Sequence, residues 1–212
     1  VSIVPVILVS LAFGMVIALQ VGNVARQLGA QALTGAAMVL AIVREAAPIA
    51  TALLIAGAGG SAMTADLGSR TIRDEISAME VLAVNPVHRL VVPRIWAAIF
   101  VAVLLDGFVS VAGISGGYLF NVVVQGGTSG SYLASFGLLS QSADLYFALI
   151  KAAVFGLIAA MVAVHMGLSA KGGPKGVGDA VNQGVVITFM LIFLANIIMT
   201  LLYFQVVPQK FT

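Results

Sequence analysis

The sequence contains no cysteine, two histidines and one tryptophan, and only 8% of its residues are charged. Without cysteine, the chain has no disulfide, no thiol nucleophile and no thiolate metal site. His88 and His165 each lack a second ligand at a usable spacing, so no metal site is predicted. Soluble domains carry roughly 25% charged residues. The shortage of charge therefore points away from a soluble protein.

Apolar residues are what the chain has in excess. Hydrophobic residues make up 61% of its 212 positions, and the mean hydropathy is +1.13. A soluble domain of this length could not hide so much apolar surface from water, so the solvent of this protein must be the bilayer. The net charge is only +2, and the isoelectric point near 9.2 reflects that small excess. Nucleic-acid binding is not indicated.

Five apolar runs predict an all-α, polytopic membrane protein with a single domain over residues 1–212. In lipid, backbone polar groups must be satisfied within the segment, so such runs form helices, and each span needs roughly 20 residues. The predicted spans run from about Val4 to Val21, Leu33 to Ala62, Leu90 to Leu119, Leu145 to Leu168 and Val185 to Val207. Polar or glycine-rich linkers are predicted at Gly22–Gln31, Gln125–Ser142 and Ser169–Gly184.

The distribution of lysine and arginine predicts the orientation in the membrane, because cytoplasmic loops carry the excess of these residues. The loops after spans two and four lie on one side, and they and their flanks hold Arg70, Arg73, Arg89, Arg94, Lys171 and Lys175. The other side has Arg26 and Lys210. We therefore expect a plasma-membrane protein with the first group in the cytoplasm and the C-terminus on the outer side.

Charge is concentrated in the segment from Arg70 to Arg94, RTIRDEISAMEVLAVNPVHRLVVPR, which we call the charged segment. Thr71 with Asp74 three residues later resembles a capping box. An apolar stripe follows at helical spacing, formed by Ile72, Ile76, Met79 and Leu82. Asn85-Pro86 is predicted to end the helix, because the residue before proline avoids the α region. The helix either merely connects two spans or docks on a soluble partner.

Charges inside predicted spans are costly and tend to be functional. Arg44 and Glu45 point about 100° apart on a helix, so each needs another partner. One hypothesis places them in a lipid pocket, with Arg44 facing an anionic headgroup; the alternative is a structural network of ion pairs between helices. Asp106 could relay protons, pair with Arg44 or clamp two helices, and we favour the clamp. Lys151 is predicted to extend to the outer interface.

No nucleotide-binding motif occurs in the sequence. The stretch GGPKGVG at Gly172–Gly178 lacks the P-loop pattern and does not follow a strand. No catalytic residue is predicted, because no nucleophile–base pair stands out. The chain is therefore not expected to be an enzyme or to hydrolyse ATP itself.

The stretch REAAPIATALLIAGAGGSAMTADLGSRTIRDEISAMEVLAVNPVHRLVVPR resembles the signature region of the MlaE/YrbE permease family. The family pattern is an Arg-Glu pair before proline, a glycine-rich span end, Ala-[Glu/Asp]-Leu-Gly, Glu-Ile-x-Ala-x-Glu, Asn/Asp-Pro and Pro-Arg. The matching positions are Arg44, Glu45, Pro48, Gly57, Gly59, Gly60, Asp66, Gly68, Glu75, Ala78, Glu80, Asn85, Pro86, Pro93 and Arg94. The similarity continues through Asp106 with GISGG and through GGPKGVGDAVNQ.

The resemblance implies a permease subunit of an ATP-driven ABC lipid transporter that works with MCE proteins and binds no nucleic acid. ATP and Mg would be bound by a partner ATPase, and the permease itself would need no cofactor. The charged segment becomes a cytoplasmic coupling helix between spans two and three. Its implied ATPase-coupling residues are Arg70, Arg73, Asp74, Glu75, Met79, Glu80, Asn85 and Pro86.

Further details follow from the same resemblance. The chain is most similar to an actinobacterial, mycobacterial-type YrbE A subunit, which implies pairing with a second YrbE-type permease and import of lipids or fatty acids. The N-terminal interfacial helix of the family is not evident, so a truncated N-terminus is expected. The alternatives are a proton-coupled secondary transporter using Glu45 and Asp106, or a non-transporting scaffold. A secondary transporter would be expected to show internal repeats or broken helices at the membrane midplane, and no repeat is apparent.

Overall fold

The computed structural model describes residues 3–30, 33–139 and 141–207, and every regular element in these ranges is helical. The α-helices are α1 (Ile3–Gln27), α2 (Thr34–Val39), α3 (Ala47–Leu54), α4 (Ser61–Ile72), α5 (Glu75–Val81), α6 (Val92–Leu119), α7 (Ser129–Leu139), α8 (Ser142–Leu168) and α9 (Gly173–Val206). Wider π-helical turns lie at Leu40–Ala46, Ile55–Gly60, Val87–Val91 and Phe120–Val124. The all-α prediction is confirmed.

Five helical stretches in the described ranges are long and apolar enough to cross a membrane, which confirms the predicted number of spans. They are Val4–Gln27, Thr34–Ile72, Val87–Val124, Ser142–Leu168 and Gly173–Val206. Spans two and three are each assembled from α-helices and π-helical turns that follow one another directly in the sequence. The protein is therefore a multi-pass membrane protein.

The predicted linkers were wrong at their boundaries, because polar composition does not by itself end a helix. The helix α1 continues to Gln27, and α9 begins at Gly173 rather than near Val185. At about 1.5 Å per residue, the 34 residues of α9 extend for about 51 Å, well beyond the apolar thickness of about 30 Å. Its polar first turns therefore lie outside the apolar layer. Lys210, used in the orientation argument, lies outside the described residues.

Contacts between residues divide the chain into two compact units, each assembled from separate parts of the sequence. Unit 1 comprises Val1–Ala50, Leu104–Ile150 and Leu201–Thr212, and unit 2 comprises Thr51–Val103 and Lys151–Thr200. Unit 2 has one buried cluster of Ala52, Phe155 and Ile192 and another of Leu67, Val91 and Val164. In unit 1 the buried apolar residues include Ala18, Ala36, Met38, Ile42 and Val109. Each unit thus contains its own packed interior.

Glycines bring α1 and α6 into close backbone contact within unit 1. A Cβ atom on Gly14 would overlap the carbonyl group of Gly113, and one on Gly116 would overlap the carbonyl group of Leu11. Small residues allow such approach, and close packing is a main source of helix association in membranes. Gly113 and Gly117 on α6 also pack closely against span two, since Cβ atoms at these positions would meet the side chains of Ile42 and Met38.

Replacing Gly116 with alanine should destabilise the protein by about 1–3 kcal/mol, because the new methyl group meets backbone that cannot move aside cheaply. The matched control is Gly107→Ala in the same helix, where a Cβ atom would meet nothing within 4 Å. Thermal unfolding in detergent measures both variants. Equal unfolding midpoints for the two variants would contradict the close contact.

The predicted linker between spans three and four contains the helix α7, which sequence reasoning missed. Tyr132 on α7 is 2% exposed, and its ring makes edge-on contacts with Tyr118 and Phe136. Its hydroxyl finds no hydrogen-bond partner among the described residues, and burial raises the pKa of Tyr132 to about 12. A buried aromatic of this size anchors α7 to the rest of unit 1.

Candidate functional site

The charged segment folds as the end of α4, the separate short helix α5 and the start of span three. Between α4 and α5, Asp74 adopts a left-handed conformation with φ of 58°, which breaks the helical path. The predicted continuous stripe was therefore wrong at both ends: Ile72 belongs to α4, and Leu82 is 74% exposed beyond α5. Only Ile76 and Met79 remain as half-buried stripe residues on α5.

The predicted capping box was also wrong. The Thr71 hydroxyl donates to the carbonyl oxygens of Leu67 at 2.9 Å and Gly167 at 3.3 Å, so it is used by α4 and α8. Asp74 occupies the N-cap position of α5 but makes no side-chain capping bond there. Its left-handed backbone prevents the extended geometry from which an N-cap side chain normally accepts.

Ala83, rather than Asn85-Pro86, ends α5. Ala83 has φ of 59°, its N–H donates to the Glu80 carbonyl oxygen at 3.0 Å, and the Val84 N–H donates to the Met79 carbonyl oxygen at 2.9 Å. These two bonds form a Schellman motif, a common helix terminus. Asn85 instead begins span three, because its side-chain oxygen accepts from the Val87 N–H at 2.9 Å.

A network of ion pairs joins α5 to the two spans on either side of it. Asp66 on α4 pairs with Arg94 at the start of α6 and with Arg70 at 3.2 Å. Arg70 and Arg73 both pair with Glu75 on α5, at 3.5 Å and 3.1 Å. Single exposed pairs contribute little to stability, whereas a shared network fixes relative positions. The network therefore connects α4, α5 and α6 through five side chains.

The exposed surface at the end of α5 is partly apolar, which was not predicted from the sequence. Val81 is 87% exposed, next to the similarly exposed Leu82. A groove of about 550 Å³ runs beside α5. It is lined by Ile76, Glu80, Ala83, Val84, Asn85, Pro86, Val87 and Leu168. An exposed apolar tip beside a groove is the kind of surface that protein partners bind.

Inside unit 1, Arg44 pairs with Asp144, a residue that sequence reasoning did not single out. Arg44 Nη2 and Nε donate to Asp144 Oδ1 at 2.6 Å and 3.0 Å, and both residues are buried. The Tyr203 hydroxyl donates to the same carboxylate oxygen, and the guanidinium lies over the Tyr203 and Phe204 rings. This geometry favours the ion-pair network over a headgroup contact for Arg44.

The start of α8 holds Asp144 in place. Its Oδ2 accepts from the Gln141 backbone N–H at 2.7 Å, which is the returning half of a capping box. The sequence signal was an acidic residue in the first turn of a span, where the positive end of the helix dipole favours it. It was missed because the span was predicted to begin at Leu145, three residues after the start of α8 at Ser142.

The other intramembrane charges have different surroundings. Glu45 is half-buried beside Arg44 on the π-helical turn. Asp106 is 1% exposed, and its Oδ1 has no hydrogen-bond partner among the described residues. Asp144, not Asp106, is the partner that the structure shows for Arg44. The helix clamp by Asp106 stays a prediction.

Lys151 does not extend to the membrane interface, so that prediction was wrong. The side chain is 0% exposed in unit 2, and its ammonium donates to Thr200 Oγ1 at 2.8 Å. Snorkelling requires a path to water near a helix end. Lys151 instead lies one third of the way along α8, where its ammonium bonds to a residue of α9.

An apolar cavity of about 450 Å³ lies between α1 and α2 in unit 1. Its lining is formed by Gln20, Val21, Val24, Ala25, Leu28, Ala30, Leu33, Thr34 and Ala37. Its walls are mostly aliphatic, so they suit an acyl chain rather than a polar solute. In the described part of the chain, no three histidine or acidic side chains are grouped in a way that could hold a metal ion.

Comparison with known proteins gives a consistent result. The family model described as permease MlaE matches residues 1–202. A probable ABC transporter permease protein of Synechocystis is 33% identical over 192 residues, which cover 91% of this chain and 73% of the relative. The intermembrane phospholipid transport system permease protein MlaE of Haemophilus influenzae is 31% identical, with coverage of 96% and 78%.

A chloroplast relative is similar over a smaller part of its own length. The Arabidopsis thaliana protein TRIGALACTOSYLDIACYLGLYCEROL 1 is 29% identical over 199 residues, which cover 94% of this chain and 57% of that protein. The family match and the two bacterial relatives agree with the resemblance carried by the charged segment and by the Arg44-Glu45 pair. The chain belongs to the MlaE permease family.

Proposed function

We propose that this chain is the transmembrane permease subunit of an ABC-type lipid transporter, and that a cytoplasmic ATPase drives it through α5. The ion-pair network carries this proposal. Asp66 and Arg94 lie on spans two and three, and Arg70 and Glu75 extend the connection to α5. A force applied to α5 therefore reaches two spans through bonded side chains rather than through a flexible loop.

The surface beside α5 supports binding of a protein partner. Val81 and Leu82 project into solvent, while Glu80 lines the adjacent groove. Apolar anchors surrounded by charge are typical of binding hot spots. In this arrangement the ATPase contacts the tip of α5 and its acidic side, and it supplies the bound ATP and Mg. The charged segment then lies in the cytoplasm and the C-terminus on the outer side.

The remaining partners follow from the family and from the lipid-facing surfaces. A second permease subunit of the same family, in a heterodimer, would complete the transport path, and MCE proteins would receive or deliver lipid on the outer side. The apolar cavity between α1 and α2 would hold an acyl chain. Family membership favours this permease role over the proton-coupled transporter and the scaffold.

Replacing Glu80 with lysine should reduce co-purification of the ATPase with the permease by at least about tenfold, because a reversed charge at an interface is repelled. Glu80 is exposed and outside the ion-pair network of the described residues, so α5 should keep its position. Glu75→Lys should have a larger effect, since it also breaks the pairs with Arg70 and Arg73.

The control for these variants is Asp179→Lys, which reverses an exposed acidic residue on α9. We expect this variant to retain the ATPase. If Glu80→Lys and Glu75→Lys both retain the ATPase and transport lipid at the rate of the unmodified protein, coupling through α5 is refuted.

A further inference from the structure

A second, polar pocket of about 340 Å³ lies in unit 1 where α1 ends and span three ends. Gly22 and Arg26 line it from α1, Asn121 and Gln125 from the end of span three, and Ser131 from α7. Among the described residues that line it, Arg26 is the one that carries a charge, and none is acidic. None of the residues that line this pocket belongs to the ion-pair network around α5 or to the buried Arg44 cluster, which consists of Arg44, Asp144 and Tyr203.

The walls of the pocket are held by specific contacts rather than by loose side chains. The Gln125 side chain lies against Gly22, where a Cβ atom would overlap its amide. The Asn121 amide donates to Gln125 Oε1 at 3.3 Å, and the Gly127 N–H donates to the Asn121 carbonyl oxygen at 3.0 Å. A larger side chain at position 22 would displace the Gln125 amide from this position. The pocket is therefore a formed feature of the fold.

Arg26 is held by one hydrogen bond and has no acidic partner among the described residues. Among the described residues, its guanidinium makes one hydrogen bond, from Nη2 to the Gln125 carbonyl oxygen at 2.9 Å. A guanidinium carries five N–H donors in a planar fork that matches a phosphate or carboxylate. The remaining donors can bind an oxyanion in the pocket, which Asn121 and Ser131 also line.

The apolar cavity of unit 1 adjoins this polar pocket. Thr34, at the start of α2, lines both. On α1, Gly22 and Arg26 line the polar pocket, whereas Val21 and Val24 line the apolar cavity together with Leu28, just beyond the helix. A polar compartment with one cation and an aliphatic compartment beside it match the two parts of an anionic lipid. A free oxyanion would use the first compartment alone.

We propose that the Arg26 pocket is a headgroup site that gives the permease a preference for lipids with a phosphate or carboxylate headgroup. The acyl chain of the same lipid lies in the neighbouring apolar cavity. This inference rests on the proposed transport of lipid, and it names the chemical class of the lipid. Arg26 provides the charge and the fork, and Asn121 provides a neutral donor beside it.

The test uses the full chain in neutral detergent and native mass spectrometry, with no ATPase or nucleotide present. The probes are 1-oleoyl lysophosphatidate, the chain-matched neutral lipid monooleoylglycerol and inorganic phosphate. We expect lysophosphatidate to bind about tenfold more tightly than monooleoylglycerol, because charge-assisted hydrogen bonds favour the anion. Arg26→Gln should weaken lysophosphatidate binding about tenfold and leave monooleoylglycerol binding unchanged.

Two further variants separate the role of Arg26 from general charge and from folding. Arg26→Lys should give intermediate affinity, because it keeps the charge and loses the planar fork. Lys175→Gln removes an exposed cation on α9 and should change nothing. If Arg26→Gln lowers the thermal unfolding midpoint, the proposal is instead judged by comparing the lysophosphatidate affinity of Arg26→Lys with that of the unmodified protein.

Equal binding of lysophosphatidate by the unmodified protein and both Arg26 variants overturns the proposal. If inorganic phosphate binds as tightly as lysophosphatidate, the claim that the bound oxyanion belongs to a lipid is overturned, since the acyl chain would then add nothing to the affinity. Because binding is measured without the ATPase, its failure leaves the permease role standing. Loss of ATPase coupling with intact headgroup preference would instead count against the proposed function alone.

Discussion

Asp144→Ala is expected to destabilise the protein by about 3–5 kcal/mol, because it removes the buried carboxylate that pairs with the Arg44 guanidinium. The same substitution removes the acceptor of the Tyr203 hydroxyl and of the Gln141 backbone N–H. Removing one member of a buried pair is far more costly than removing both. The double variant Arg44→Met with Asp144→Leu should therefore recover much of the lost stability.

Thermal unfolding in detergent, followed by loss of the monodisperse protein, measures these variants. Asp179→Ala, which removes an exposed carboxylate on α9, should unfold at the same temperature as the unmodified protein. A further comparison separates stability from transport: if the double variant is stable and still moves lipid, the Arg44 cluster is structural. If the free energy of unfolding of Asp144→Ala lies within about 1 kcal/mol of that of the unmodified protein, the Arg44–Asp144 pair does not contribute to stability as a buried ion pair should.

The second large effect is expected from Asp66→Asn. Asn keeps the shape of the side chain, but it loses the charge that pairs with Arg94 and Arg70. The ATPase should still bind α5, because Glu80, Val81 and Leu82 are unchanged. ATP-driven lipid transport should fall by about 5- to 150-fold. This is the size of the change in affinity that typical coupling free energies between two sites produce.

Transport by the reconstituted complex, measured together with ATP hydrolysis and ATPase co-purification, tests this expectation. The matched control is Asp179→Asn, which neutralises an acidic residue outside the network. Loss of co-purification in Asp66→Asn would mean that Asp66 acts by positioning the docking surface. Unchanged transport would mean that the link between α4 and α6 does not carry the movement.

The number of spans could be predicted because each run of apolar residues is long enough to cross a bilayer and is bounded by polar residues. Their ends could not, since helices continue into water when polar residues have adequate helix propensity and a cap. The fifth span shows this: Gly173–Gly184 is polar and glycine-rich, but Pro174 in the first turn of α9 is compatible with a helix start.

The charged positions were predicted less well than the spans. Arg44 was correctly identified as needing a partner, but the partner is 100 residues away in the sequence and no local pattern connects the two. Lys151 was placed at the interface because exposure of a lysine is the common case. Its burial depends on the packing of α8 against α9, which hydropathy does not describe. The ion pairs of Asp66 also depend on tertiary proximity.

The π-helical turn at Leu40–Ala46 affects how the face of span two should be assigned. An α-helix places side chains about 100° apart, whereas a π-helical turn uses more residues per turn. The face that α2 presents is therefore not the face that the same heptad position would present in α3. Deleting one residue between Leu40 and Ala46 would restore a continuous α-helix and rotate Arg44 away from Asp144. A one-residue change in length here would thus alter the pairing of Arg44 and leave the span apolar enough to cross the membrane.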